Sequence, residues 1–186
     1  MYVIDRKAQI AVAIGRIVIG VIFLWAGLGK LLGSGEEGFS AAGFLQFATG
    51  GTLGWPFVAE GTEGPFNPTQ DFWVGLAANE GMMSVVDLLV MFGQTAIGIA
   101  LILGLFTRFA AVMGTLMMVF FFFAAWEFEH GIVNQHLTYA VVTFGLAVVG
   151  AGNYWGLDGM LGDNVGKGIR YWLLSGERRD RLPAMA

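Results

Sequence analysis

Four stretches of this chain are apolar for about as long as a helix needs to cross a bilayer, roughly 20 residues at about 1.5 Å of rise each. The first runs from about Ala8 to Leu32 and is broken only by Arg16 and Lys30, each near an end. The others run from about Met82 to Leu103, Arg108 to Trp126 and Asn134 to Gly152. Only 13% of the residues are charged, against about 25% in an ordinary soluble domain, so most of the chain must face something other than water. The expected fold is all-α: an integral membrane four-helix bundle, forming one domain over residues 1–186. The segment after Asp5-Arg6-Lys7 stays apolar too long for a signal peptide and is expected to be a retained first helix. Between the second and third helices, Gly104 can supply the left-handed terminal residue and Thr107 the next cap.

Charge placement orients the bundle. Arg6, Lys7, Arg108, Lys167, Arg170, Arg178, Arg179 and Arg181 fall at one set of ends, whereas the segment from Ser34 to Asn79 holds Glu36, Glu37, Glu60, Glu63 and Asp71 with no Lys or Arg. The positive-inside rule then puts both termini in the cytoplasm, with acidic loops outside. The expected location is a cell membrane, crossed several times. The external loop, 33–81, is long enough to need structure of its own. Phe44, Leu45 and Phe47 suggest a short interfacial helix. Asn67-Pro68-Thr69-Gln70 reads as N-cap, proline at N1 and Gln at N3, opening a second short helix that ends near Asn79. The loop is either a lid over the outer mouth or a passive cover. In the tail, 153–186, Ile169, Trp172 and Leu173 can face lipid while Lys167 and Arg170 meet headgroups.

No cysteine is present, which excludes disulfides, thiolate metal sites, iron–sulfur clusters and dithiol redox chemistry. There is no basic patch for nucleic acid, no phosphate-binding glycine loop, no nucleophile elbow and no HExxH. His130 and His136 are six apart, roughly 240° around a helix. They cannot share one iron from a single straight helix, so no haem is expected.

Polar residues inside a membrane helix are costly and are functional candidates by default. Glu80, Asp87 and Gln94 recur every seven residues, with Ser84 between the first two, and are expected to look into the bundle. A carboxylate there can move protons or pair with a cation; interhelical hydrogen bonding is the alternative. Arg16 can bind an anionic group, snorkel to headgroups, or hold a structural hydrogen bond. Lys30 can attract an anion to the outer mouth or pair with Glu36 or Glu37. Glu127, His130, Asn134 and His136 collect at the outer end of the third and fourth helices. Imidazole beside carboxylate suits proton-coupled chemistry, though an ordinary interfacial cluster would look the same.

Three runs carry a family resemblance: Arg16-Ile-Val-Ile-Gly-Val-Ile-Phe-Leu-Trp-Ala-Gly-Leu-Gly-Lys30-Leu31, Gly104-Leu-Phe-Thr-Arg-Phe-Ala-Ala111 and Gly150-Ala-Gly-Asn-Tyr-Trp-Gly-Leu-Asp158. In order, they resemble the first helix, the second-to-third turn and the end of the fourth helix of DoxX-like membrane proteins. The larger first external loop is similar to that of the DoxD-like branch, the membrane subunit of thiosulfate:quinone oxidoreductase. The resemblance implies a quinone-interacting subunit of a respiratory oxidoreductase, able to use thiosulfate. On that reading Asp87, His130 and His136 are the catalytic candidates, Arg16, Glu80, Gln94 and Asn134 contact the quinone, and Lys30 meets the substrate anion; no metal is expected. The alternative is a non-catalytic accessory subunit of a larger membrane complex. The expected partners are the lipid bilayer and other membrane subunits or further copies of the chain.

Overall fold

The computed structural model describes residues 5–33, 38–47, 49–50, 66–126, 133–161, 168 and 173–174. In chain order the helices are α1 (Arg6–Leu32), α2 (Ala42–Phe47), α3 (Gln70–Ala77), α4 (Glu80–Leu103), α5 (Thr107–Ala125) and α6 (Gln135–Val149). A 3₁₀ turn (Ala151–Asn153) and a short α7 (Leu157–Leu161) follow. No strand occurs among the described residues.

Helices α1, α4 and α5 are each long and apolar enough to cross a membrane. The fourth segment is shorter than the 134–152 expected: α6 has 15 residues, roughly 22 Å of helix. It stops because Gly150 turns left-handed (φ 63°) and the chain tightens into the 3₁₀ turn. Val85, Leu88, Leu89 and Phe92 of α4, and Val112, Leu116, Phe120 and Phe123 of α5, are exposed. Rows of large apolar side chains open to the outside of a helical protein suit acyl chains, and their side of the fold belongs in a bilayer.

Local capping explains where α1, α4 and α6 begin. A helix leaves its first N–H groups unpaired, and an Asx side chain one residue upstream accepts one of them. Asp5 accepts the Ala8 N–H at 2.7 Å, Asn79 the Met82 N–H at 3.1 Å, and Asn134 the Leu137 N–H at 3.0 Å. Asn67 accepts the Thr69 N–H at 2.9 Å and the Gln70 N–H bonds the Asn67 carbonyl at 3.1 Å, but these bonds close a turn ahead of the helix: the N-cap position is Thr69, without a side-chain cap bond, and not Asn67 as expected. Regular α3 therefore starts at Gln70. Gly104 (φ 67°) ends α4 as expected, closing a Schellman motif: the Leu105 N–H bonds the Ala100 carbonyl at 3.0 Å and the Gly104 N–H the Leu101 carbonyl at 3.3 Å.

The chain forms two compact units. Unit 1 comprises Met1–Trp25, Thr95–Gly114 and Val142–Ala186, and unit 2 comprises Ala26–Gln94 and Thr115–Val141. In unit 1, α1 and α4 meet backbone to backbone. A Cβ on Gly20 would lie 2.9 Å from the Ile102 nitrogen, and one on Gly98 would lie 2.7 Å from the Leu24 Cα. The buried Phe23 ring covers Gly114 and Ile97. Small residues thus let dispersion contacts build where lipid offers no hydrophobic drive between helices.

In unit 2 the loop helices are bound to the long ones. Leu45 of α2, Trp73 of α3, Met83 of α4 and Ala124 of α5 form one buried cluster, flanked by Ala41, Ala42, Leu76, Ala77 and Val86. Only part of α2 meets its surroundings as an interfacial helix would: Phe44 is exposed, while Leu45 is buried in protein. Asn67 locks the loop to the end of α5. Its Nδ2 donates to the carbonyls of Thr49 (2.8 Å), Ala124 (3.1 Å) and Phe123 (3.2 Å). Trp73 Nε1 donates to Thr69 Oγ1 at 2.9 Å, and its ring meets Phe120 edge-on. The proposed tail helix at Ile169, Trp172, Lys167 and Arg170 lies outside the described residues.

Candidate functional site

The polar row of α4 grades inward from one end of the helix. Glu80, in the first turn, is exposed, which corrects the expectation that the whole row is inward-facing. Gly81 and Met82 beside it are exposed as well, and an acid there suits the helix dipole and solvent. Asp87 is half-buried, and Gln94 is buried on the same face as Met83, Val90, Ile97 and Leu101. Ser84 donates to the Glu80 carbonyl at 3.1 Å and remains exposed.

Asp87 Oδ1 accepts the Ala41 N–H at 2.7 Å, so the α4 carboxylate caps the start of α2 from outside that helix. Two residues earlier, the Phe39 ring lies 5.6 Å from Lys30 Nζ, within cation–π range. Lys30 Nζ also donates to the Ala26 carbonyl at 3.2 Å. Asp87 and Lys30 are therefore brought to the same short piece of loop, Phe39–Ala41. The pairing of Lys30 with Glu36 or Glu37 falls outside the described residues.

Gln94 differs from both. Its Oε1 is buried and has no hydrogen-bond partner among the described residues, a loss of about 1–3 kcal/mol for a buried acceptor. At the start of α6, Asn134 is the cap described above, and the half-buried His136 ring meets Phe121 edge-on at 5.9 Å. His130 and Glu127 lie outside the described residues. The described residues hold no group of three His, Asp or Glu placed to share a metal ion.

Unit 1 carries a constellation of its own around Arg16, which is fully buried. Its Nη2 donates to the Trp155 carbonyl at 3.1 Å and its Nη1 to the Ala151 carbonyl at 3.4 Å. These carbonyls follow the end of α6, where the helix dipole is negative. Asp158 is also buried and interacts electrostatically with Arg16. Its Oδ1 accepts the Phe106 N–H at 2.8 Å, its Oδ2 the Thr107 N–H at 2.9 Å, and its own N–H donates to the Gly104 carbonyl at 2.8 Å. The cap of α5 is thus Asp158, not Thr107 as expected; the Thr107 hydroxyl is buried without a partner among the described residues. A carboxylate accepts two N–H groups at once and carries a full charge, so it outcompetes a neutral hydroxyl.

Glycine makes this clasp possible. A Cβ on either Gly104 or Gly156 would collide with Arg16 Nη1, and one on Gly104 would lie 2.6 Å from the Gly156 Cα. Phe106 (φ 50°) and Trp155 (φ 55°) hold left-handed backbone within the same clasp, which bulky residues keep only when their surroundings impose it. Beside it, Leu103, Asn153, Trp155, Gly156, Leu157, Gly159 and Met160 enclose a half-open cavity of about 250 Å³. Asp158 and this cavity were not singled out from sequence, although Asp158 closes the third of the family-like runs.

A family model described as DoxX matches residues 11–127. It spans Arg16, the α4 row and the Gly104–Thr107 turn. Neither the curated proteins nor the solved structures give a match.

Proposed function

The chain belongs to the DoxX family, and from that premise we propose that it is a quinone-engaging membrane subunit of a respiratory oxidoreductase, set in a prokaryotic cell membrane with both termini in the cytoplasm. The observation that carries this reading is the buried, unpartnered Oε1 of Gln94 in an apolar helix. An orphan acceptor in such a setting calls for a donor soluble in hydrocarbon, and a quinol hydroxyl is one. Asp87 lies seven residues away, roughly 10 Å along α4. Its Oδ1 accepts the Ala41 N–H, and a carboxylate at that place is the candidate proton carrier. A bound quinone would supply a two-electron, two-proton carrier. Half-buried Lys30 is the one Lys or Arg of unit 2 and the natural contact for a thiosulfate donor.

The test is quinone content and turnover of the purified chain with its native partners. Wild type is expected to retain about one quinone per chain and to support thiosulfate-dependent quinone reduction, and Gln94→Leu to lose both. Freed of quinone, Gln94→Leu should be more stable than wild type by about 1–3 kcal/mol, because an unpaired buried acceptor is gone. Wild type that holds no quinone and reduces none would end this reading.

A second reading, an accessory subunit without chemistry of its own, is favoured by a separate observation. Arg16, Asp87 and Asn134 all spend hydrogen bonds on the protein's own main chain. Co-purification in fixed stoichiometry with a larger complex, and turnover unchanged by Asp87→Asn and His136→Ala, would select it.

A further inference from the structure

The cavity beside the Arg16–Asp158 clasp is formed wholly within unit 1, and four observations converge on it. Its rim is apolar and open: Trp155 is 68% exposed and Met160 73%, with Leu103 and Leu157 beside them. Its floor includes Gly156, which lies directly against the Arg16 guanidinium. Trp155 is held in left-handed backbone, with its carbonyl bonded to Arg16, so that the clasp fixes an indole at the surface. The sequence of unit 1 holds nine of the chain's ten Lys and Arg residues, and unit 2 holds nine of its fourteen acids. Arg6 and Lys7 are exposed at the start of α1, ten and nine residues before Arg16, and Arg108 stands in the first turn of α5.

We propose that this cavity seats an anionic phospholipid, its glycerol and upper acyl region against Trp155, Leu157 and Met160 and its phosphate toward the basic ends of α1 and α5. An indole at the surface with cations beyond it is the arrangement that recognises the border of an anionic leaflet. The apolar rim excludes a free phosphate as the occupant, because inorganic phosphate would gain nothing from Leu157 and Met160. Charge selects among lipids: each basic residue near the headgroup favours the anionic one.

The full chain, purified in detergent, would be titrated with phosphatidylglycerol and phosphatidylcholine and the bound lipid counted by native mass spectrometry. Phosphatidylglycerol is expected to bind about tenfold more tightly. Met160→Glu, at a largely exposed position, should bring that ratio close to one, and Met160→Lys should preserve it. Circular dichroism monitors the fold of both variants. A photo-cross-linker at position 160 of the otherwise unchanged chain, in native membranes, should capture lipid. Equal binding of the two lipids by wild type would overturn the proposal. So would a preference untouched by Met160→Glu in a folded protein, or cross-linking to a polypeptide in place of lipid.

Discussion

Replacing Asp158 by Ala tests whether the clasp holds unit 1 together. The carboxylate accepts two main-chain N–H groups at 2.8 and 2.9 Å, and a hydrogen bond to a charged group contributes about 1.5–3 kcal/mol. Its loss also uncaps α5, a cost of about 1–2 kcal/mol that counts the same bonds in another way and is not added. The buried Arg16 guanidinium would then lack its neighbouring anion, and stripping one partner from a buried charge pair costs about 3–5 kcal/mol. The expected destabilisation is therefore about 3–5 kcal/mol. Asp158→Asn should recover part of it, since one acceptor remains while the amide NH₂ opposes the second N–H. In the double variant Arg16→Met/Asp158→Leu the loss should fall short of the sum of the single losses by about 1–3 kcal/mol. The assay is equilibrium unfolding in mixed detergent micelles, with amide hydrogen exchange read at Phe106 and Thr107. A loss below about 1 kcal/mol for Asp158→Ala, with exchange at those two amides unchanged, would refute the reasoning.

Three further outcomes follow from the packing. Gly104→Ala should abolish folding or cost more than about 3 kcal/mol, because positive φ and a collision with Arg16 and the Gly156 backbone coincide there; the fraction of monodisperse protein recovered from membranes measures it. Gly98→Ala should cost about 1–3 kcal/mol or more by forcing α4 off the Leu24 backbone, read by the same unfolding titration; wild-type stability would contradict the close crossing. Asn67→Ala should raise hydrogen exchange across Thr69–Trp73 and cost about 2–3 kcal/mol, since a buried amide that satisfies three carbonyls is removed; unaltered exchange there would show that the loop is held by the Leu45–Trp73 cluster alone.

The membrane character of the chain and the starts of α1, α4 and α6 are written locally. Hydropathy acts over a single helix length, and a cap acts within three residues, so α1, α4 and α5 as spans, and Asp5, Asn79 and Asn134 as caps, need no knowledge of distant chain. The Gly104 turn is legible for the same reason. The period of seven also puts Asp87 and Gln94 on the buried face, but it says nothing of which oxygen finds a partner. Asp87 finds one in Ala41, 46 positions away, and Gln94 Oε1 finds none among the described residues.

What the tertiary structure alone decided is who satisfies whom across the chain. Arg16 and Trp155 are 139 positions apart, and Asp158 and Thr107 are 51 apart. No local rule prefers Asp158 over the adjacent Thr107 hydroxyl as the cap of α5. That choice depends on glycine at 104 and 156 letting backbone, guanidinium and carboxylate close to contact distance. In a medium without water, polar groups must find partners inside the protein. Which partner each one finds is set by close packing of segments far apart in sequence.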